Sequence, residues 1–268
     1  MAFGENNKRQ LIFRALLHAG DEISAIESAP YNIRTKSDSS PVTDADLVSD
    51  SIIRKALSEI SPDIPVASEE QAFNTDNADL PSKFWLLDPL DGTKEFIKGN
   101  GEYCISLALI VNNRPVEAYI YAPTQKRLWY AVKDNGAYLM DRETPVRLPL
   151  YNHRKNEALI LLRSRSHHNT AESKWYESAT NNSRIEVKEQ GSAIKFCMLA
   201  EGKADLYIKK GRIFGWDIAA GDLILTESGG LLLAYGNDKE IAYKFDKSEM
   251  PSFIACGQRI ENPENWLF

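Results

Sequence analysis

Five acidic residues stand where strands end or helices begin, which are positions that direct side chains into a shared cleft. They are Asp46, Glu69, Asp88, Asp91 and Asp217. Two of them belong to the run DPLDGT, in which a proline turn can aim both carboxylates and the Leu90 carbonyl at one point. Mg²⁺ takes such oxygen ligands and shares the phosphate oxygens of its substrate. The pattern therefore predicts a magnesium site that acts on a phosphate ester.

Each acid also has a structural interpretation. Asp217 suits a helix N-cap, and Asp88 and Asp91 suit a turn. Zinc is excluded because none of the four histidines or three cysteines has ligand spacing, and DPLDGTKEF lacks the ligand pattern of an EF-hand. Clustered carboxylates without a cation raise each other's pKa values and cost stability, so the cluster favours bound Mg²⁺, with two or more ions.

The residues after Asp91 complete a hydrolytic site. Gly92-Thr93 opens the pattern TKEFIKG, which predicts a short helix whose first backbone N–H groups cradle a phosphate. The Thr93 hydroxyl is then placed to pass a proton to a carboxylate. Phosphate, metal ions and an activated water together predict a phosphatase.

The composition sets limits on the remaining possibilities. The chain has 268 residues, 43% hydrophobic, with a formal net charge of −6. This composition is typical of a globular protein and lacks the basic stripe of proteins that bind nucleic acid polymers. We expect no integral membrane association, a cytoplasmic location with contact to the inner membrane face left open, and three reduced core cysteines: Cys104, Cys197 and Cys256.

Hydrophobic periodicity predicts the elements that carry these residues. One helix runs from about residue 6 to 29 and ends at Pro30, and a second carries Val48, Ile52 and Ile60. The predicted strands are IPVAS, FWLLD, CISLALIV, PVEAYIYA, RLWYAV, ALILLRS, IEVKEQ, ADLYIKK and FIACG, and the later helices are SAIKFCMLAEG and DIAAGDLILTES. Alternating helices and strands predict α/β layers.

A loop-rich stretch, DRETPVRLPLYNHRKN, predicts a domain boundary near residues 135–155. We therefore expect an N-terminal α+β domain, residues 1–140, that carries most metal ligands. A C-terminal α/β domain, residues 141–268, would carry Asp217 and the nucleotide contacts.

Four motifs together resemble one family. KSDSSPVTDAD, ASEEQ, DPLDGTKEFIKGNGE and GWDIAAGD, in this order, resemble the inositol monophosphatase superfamily of Mg²⁺-dependent, lithium-sensitive phosphatases. The match is close to its bacterial 3'(2'),5'-bisphosphate nucleotidase branch and covers nearly the whole chain. The resemblance implies an αβαβα sandwich. It also implies hydrolysis of adenosine 3',5'-bisphosphate to AMP, with the sulfated analogue as a further substrate.

The same resemblance assigns roles to residues. Glu69, Asp88 and the Leu90 carbonyl would hold one metal ion, and Asp88, Asp91 and Asp217 a second, with Glu69 also near a weaker third. Thr93, paired with Asp46, would orient and deprotonate the attacking water, which makes Asp46, Glu69 and Thr93 the catalytic residues.

Substrate contacts follow from the segments SRSH and GSAIK, which resemble those that hold the adenosine and the 5'-phosphate. The implied contacts are Lys36, Glu69, Leu90, Asp91, Gly92, Thr93, Ser164, His167, Gly191, Ser192, Lys195 and Asp217, with Arg165 as a further cation. The structural alternatives are a solvated helix residue for Lys195, a surface charge for Arg165, a polar loop residue for His167 and an ordinary loop lysine for Lys36. The segment KKGRIFGWD departs from the branch, so contacts by Lys209, Lys210 and Arg212 stay open.

Two rival functions remain. An inositol or sugar phosphatase would use the same metal machinery on another alcohol. A catalytically silent regulator that binds cations or nucleotides would not need Thr93, Asp46 and Glu69, yet all three are present. The partner expected for the enzyme is a nucleotide bisphosphate, and the chain would act as a monomer or homodimer.

Overall fold

The computed structural model describes residues 2–71, 80–141, 144–151, 157–166, 170–180, 184–234, 240–260 and 262. Its α-helices are α1 (Ala2–Glu27), α2 (Asp44–Ile60), α3 (Thr93–Ile97), α4 (Thr170–Thr180), α5 (Ile194–Ala200) and α6 (Gly215–Glu227). Its strands are β1 (Ile33–Thr35), β2 (Pro41–Thr43), β3 (Val66–Ser68), β4 (Lys83–Asp91), β5 (Cys104–Val111), β6 (Arg114–Ala122), β7 (Arg127–Val132), β8 (Gly136–Asp141), β9 (Thr144–Arg147), β10 (Leu159–Ser164), β11 (Ile185–Gln190), β12 (Leu206–Lys209), β13 (Leu231–Ala234) and β14 (Phe253–Cys256).

The larger sheet contains β3 to β9 in sequence order among the described residues. β3 and β4 are parallel and every later pair is antiparallel, so the predicted meander is confirmed. Two further strands, β8 and β9, extend the meander and were not predicted. β9 lies in the stretch predicted to be loop-rich, and that part of the prediction was wrong. All four residues of β9 are exposed and Pro145 is among them. An exposed edge strand with a proline has no alternating apolar face by which a sequence could reveal it.

The smaller sheet has the order β11-β10-β12-β14-β13. β10 is parallel to both of its neighbours, whereas β14 is antiparallel to β12 and β13. The four strands predicted in this half are confirmed. β13, which follows the turn at Gly229-Gly230, was not predicted.

Three apolar clusters define the layers. The first joins α1 and α2 to one face of the larger sheet and includes Leu16, Ile23, Trp85, Leu107 and Tyr119. The second lies between the two sheets around α5 and α6 and includes Phe84, Ile120, Phe196, Trp216 and Ile224. The third packs α4 on the outer face of the smaller sheet and includes Leu161, Trp175, Tyr176 and Leu206. The layer order is αβαβα, as predicted.

The middle cluster takes side chains from both halves of the chain, so the two sheets share one core. The division into residues 1–140 and 141–268 stays a prediction. Cys104, Cys197 and Cys256 are buried and free, as expected. Within the described part of the chain, no helix has the length and apolar character needed to cross a membrane.

Helix α6 lies close to α5 because its facing residues are small. A Cβ atom added at Gly221 would stand 2.3 Å from the Phe196 ring. Since Phe196 is fully buried in the core between the sheets, its ring has little space in which to move.

We predict that Gly221→Ala lowers the free energy of unfolding by roughly 1–3 kcal/mol, because overpacking outweighs the better helix propensity of alanine. Urea unfolding followed by circular dichroism measures the change. Ser51→Ala on the exposed face of α2 is the control, with an expected change within about 0.5 kcal/mol. A Gly221→Ala protein as stable as the wild type would contradict this account of the α5–α6 contact.

Candidate active site

The chain leaves the regular ladder of the larger sheet at the end of β4. The pairing of β4 with β5 shifts register between Asp88 and Asp91, so the intervening residues bulge away from the sheet. The Pro89 carbonyl accepts a hydrogen bond from the Ser49 hydroxyl (2.7 Å), which ties the bulge to α2. Gly92 then has φ +98°, and a Cβ atom there would stand 3.1 Å from the Glu102 carbonyl oxygen. Glycine is therefore required at the turn that leads into α3.

Three carboxylates from different elements meet beside this bulge. Glu69, Asp88 and Asp217 each offer an oxygen within 4.8 Å of the others. Glu69 follows β3, and its N–H donates to the Leu87 carbonyl (3.1 Å), so parallel pairing places it next to Asp88. Asp217 is the third residue of α6 rather than its N-cap, and its Oδ2 accepts the Phe214 N–H (2.8 Å).

Burial and mutual repulsion act on this group together. Burial raises the pKa values of Asp88 and Asp217 well above the ordinary range, and the negative charges of Glu69 and Asp91 raise them further. A cation among the three oxygens would remove that repulsion, and an all-carboxylate donor set suits a hard divalent ion. The donors present therefore fit a metal ion.

Asp91 and Leu90 complete the predicted ligand set. Burial raises the pKa of Asp91 to about 6, although the charge of Lys195 opposes the rise. Its Oδ2 accepts the Ala193 N–H (2.5 Å) from the loop before α5. The Leu90 carbonyl oxygen lies 3.3 Å from the Thr93 hydroxyl oxygen. Both residues line the cavity described below, and their roles as ligands stay predictions.

The structure brings the predicted catalytic pair together. The Thr93 hydroxyl donates to Asp46 Oδ1 (3.0 Å), although 47 positions separate the two residues. Asp46 Oδ2 accepts both the N–H (2.7 Å) and the hydroxyl (2.6 Å) of Thr43, which caps the N-terminus of α2. Burial raises the pKa of Asp46, and the hydrogen bonds from Thr43 and Thr93 oppose that rise. Asp46 is thus held rigidly with one oxygen directed at Thr93.

Lys36 is not an ordinary loop lysine. Its ammonium group donates to Glu69 (2.6 Å) and to Glu70 (2.5 Å). Burial lowers the pKa of Lys36, but the two carboxylates outweigh it, so the pKa lies above its usual value. Glu70 stands within the motif ASEEQ but was not predicted to have a functional role. Burial raises the pKa of Glu70 to about 7.

A cavity of about 360 Å³ opens beside the carboxylates and is lined by residues of both sheets. The predicted contacts Ser164, Gly191, Ser192 and Lys195 line its wall. Lys195 is only 5% exposed, which excludes the alternative that it is a solvated residue on a helix surface. Its ammonium group donates to the carbonyls of Ser192 (2.6 Å) and Gln190 (3.3 Å) and lies 5.0 Å from the centre of the Tyr207 ring.

Arg165 also lines the cavity, but two acids hold its guanidinium group. It forms a two-point ion pair with Glu102 (2.6 and 2.8 Å) and a weaker pair with Glu189 (3.3 Å). Glu102 also accepts the Gly191 N–H (2.7 Å), so this pair fixes the loop before α5. These partners show a structural role for Arg165, and its predicted contact with a phosphate stays a prediction. His167 lies outside the described residues.

Three basic residues before Trp216, whose contacts with the nucleotide were left open, differ in their surroundings. They are Lys209, Lys210 and Arg212. Lys209 is buried and paired with Glu172 of α4 (3.2 Å), and the Lys210 N–H donates to the same carboxylate (2.7 Å). Arg212, half exposed, pairs with Asp38 (3.5 Å) and Glu249 (3.1 Å). Lys209 and Arg212 also line the cavity. Their ion-pair partners are distant in the sequence, so no regular spacing of residues could have predicted these pairs.

Most of this chain is similar in sequence and fold to known proteins. The sequence model of the inositol monophosphatase family matches residues 8–259. The chain belongs to the inositol monophosphatase family. It is therefore related to metal-dependent enzymes, and its group of three carboxylates could hold a metal ion.

Three relatives illustrate the similarity. The chain is 39% identical to the 3'(2'),5'-bisphosphate nucleotidase CysQ of Buchnera aphidicola, over 84% of this chain and 82% of that protein. It is 36% identical to the protein of the same name in Salmonella typhimurium, over 91% and 95%. The crystal structure of CysQ from Bacteroides thetaiotaomicron superimposes with a TM-score of 0.79 and 32% identity, covering 95% of this chain and 98% of that one.

We predict that Asp88→Asn stabilises the metal-free protein at pH 8, because it removes one of the mutually repelling charges. The pKa of Asp88 is raised on folding, so repulsion destabilises the folded state above that pKa and fades as the pH falls through it. The gain in stability of Asp88→Asn over the wild type should therefore be smaller at pH 5 than at pH 8. Thermal unfolding in a chelator at both pH values measures this difference.

Added Mg²⁺ should raise the melting temperature of the wild type more than that of Asp88→Asn. Asp141→Asn, on the exposed end of β8, controls for the change of charge. A destabilised Asp88→Asn protein at pH 8 would contradict the repulsion described here.

Proposed function

We propose that this protein is a Mg²⁺-dependent phosphatase that converts adenosine 3',5'-bisphosphate to AMP and phosphate. The observation that carries the proposal is one cavity with the carboxylates of Glu69, Asp88 and Asp217 in its wall and the buried cation Lys195 in the same wall. Such a cavity can bind a substrate that carries both a scissile and a retained phosphate. The relatives named as bisphosphate nucleotidases support the choice of substrate.

The proposed Mg²⁺ ions, two or three per chain, would be held by Glu69, Asp88, Asp91, Asp217 and the Leu90 carbonyl. Bound there, Mg²⁺ supplies positive charge that polarises the phosphate and stabilises the leaving ribose oxygen. Lys36 adds a further positive charge beside Glu69, where it can contact the scissile phosphate.

Thr93 and Asp46 would move the proton of the attacking water. Thr93 Oγ1 accepts a hydrogen bond from the water while its own hydrogen points at Asp46 Oδ1. As the water oxygen bonds to phosphorus, its proton passes to Thr93 and the Thr93 proton passes to Asp46. The bond from phosphorus to the ribose 3'-oxygen breaks, and that oxygen takes a proton from solvent. The raised pKa of Asp46 suits a proton acceptor.

The retained 5'-phosphate would lie near Lys195, Ser192 and Gly191, with Ser164 on the adenosine side. The Ser164 hydroxyl is hydrogen bonded to that of Tyr207 (3.1 Å), which fixes its position in the cavity wall. The sulfated analogue differs only at the 5' end and would enter the same way. The protein would act in the cytoplasm as a monomer or homodimer.

We predict that kcat/KM with Mg²⁺ is at least tenfold higher for adenosine 3',5'-bisphosphate than for inositol 1-phosphate or fructose 1,6-bisphosphate. We attribute this preference to the 5'-phosphate. The kcat/KM for 3'-AMP should therefore be lower than that for the bisphosphate, and Lys195→Met should reduce the difference between these two values. Phosphate release from each substrate is the measurement. Faster release from inositol or fructose phosphates would establish the rival function on the same scaffold.

Thr93→Ala should lower kcat by about 10²–10⁴-fold with Mg²⁺ binding kept, because it removes the proton-transfer group but none of the carboxylates. Thr93→Ser keeps the hydroxyl and is the matched control, with most of the rate retained. Single-turnover phosphate release gives the rate, and the Mg²⁺-induced shift in melting temperature shows metal binding. An unchanged kcat in Thr93→Ala would exclude Thr93 from the mechanism.

A further inference from the structure

Glu95 has a buried carboxylate that no step above uses. The residue lies on α3, two positions after Thr93, is 2% exposed and lines the cavity. Its Oε1 atom is buried without a hydrogen-bond partner among the described residues. Leaving a carboxylate oxygen buried and unpaired is costly. An acceptor retained at that cost in a cavity wall indicates a donor that arrives with the ligand.

The surrounding backbone holds the side chain of Glu95 in place. A Cβ atom added at Gly191 would stand 2.6 Å from Glu95 Cγ, so the Gly191 backbone packs directly against the side chain. The Phe96 N–H donates to the Gly92 carbonyl (2.9 Å) and the Asn100 N–H to the Glu95 carbonyl (3.3 Å), which fixes the short helix at both ends. The backbone of Glu95 and its side chain as far as Cγ are therefore held in place before a substrate enters.

The charges around Glu95 locate it along the substrate. Its negative charge acts on Asp91, one of the proposed metal ligands, and on Lys195, the proposed partner of the retained phosphate. Glu95 thus lies within electrostatic reach of both ends of the site. Phosphate oxygens would be repelled by its carboxylate, so the substrate group that donates to it is a hydroxyl or an amine. The hydroxyl next to the scissile ester is the donor nearest to the metal end.

We propose that Glu95 accepts a hydrogen bond from the ribose 2'-hydroxyl and so selects esters that carry an adjacent free hydroxyl group. This inference rests on the proposed function and adds a specificity residue to it. The carboxylate pairs with the hydroxyl on binding, so the cost of its unpaired oxygen is removed only by a substrate with that group.

The test compares adenosine 3',5'-bisphosphate with its 2'-deoxy analogue in wild type, Glu95→Ala and Glu95→Gln. The wild type should favour the ribose substrate by about 10- to 100-fold in kcat/KM, the range expected for a hydrogen bond to a charged group. Glu95→Ala should lose that preference, with the ribose substrate falling to the rate of the deoxy analogue. Glu95→Gln, which keeps a neutral acceptor in the same shape, should retain an intermediate preference.

Glu186→Ala, on the exposed strand β11, is the control and should keep the wild-type preference. Equal losses on both substrates in Glu95→Ala and Glu95→Gln would overturn the inference, since a merely structural role lowers both rates together. A wild type that does not distinguish the two substrates would overturn it as well, with the proposed function intact. No turnover of either nucleotide by the wild type would instead overturn the proposed function and the inference together.

Discussion

The repulsion among buried carboxylates is the constraint on which the site depends. Glu69, Asp88 and Asp217 come from the end of one strand, the bulge of another and the first turn of a helix. Each would be more stable in water or far from the others, so the fold must hold them together until a cation arrives. The apolar core between the two sheets provides that force, because its burial fixes β4 and α6 relative to each other.

Local features of the sequence serve the same constraint. The chain leaves the regular strand pairing at the register shift after Asp88 and at the left-handed turn of Gly92. Helix α6 packs closely on α5 because Gly221 has no side chain. The proposed proton acceptor, by contrast, is fixed by the cap of α2. The site is therefore rigid on the side where water would be activated.

The sequence predicted the parts that have a local signature. Strands with a buried face, the proline turn at DPLDGT and the family motifs indicated the layer order and the five acids. The partners of Lys36 and Arg165 were not predictable, because Glu70 and Glu102 lie 34 and 63 positions away and no periodicity links them. Strand β9 was missed since it has no buried face. The unpaired oxygen of Glu95 likewise depends on packing against Gly191, which only the folded chain brings close.

The carboxylate of Asp46 joins two tasks through its two oxygens. Oδ2 accepts the N–H and hydroxyl of Thr43 and so completes the capping box of a helix of 17 residues, while Oδ1 accepts a hydrogen bond from the Thr93 hydroxyl. Under the proposed mechanism, selection for stability and selection for catalytic rate therefore act on the same carboxylate. Thermostable variants obtained by laboratory evolution should change residues around this turn while leaving Thr43 and Asp46 untouched, since few exchanges there could improve one property without harming the other.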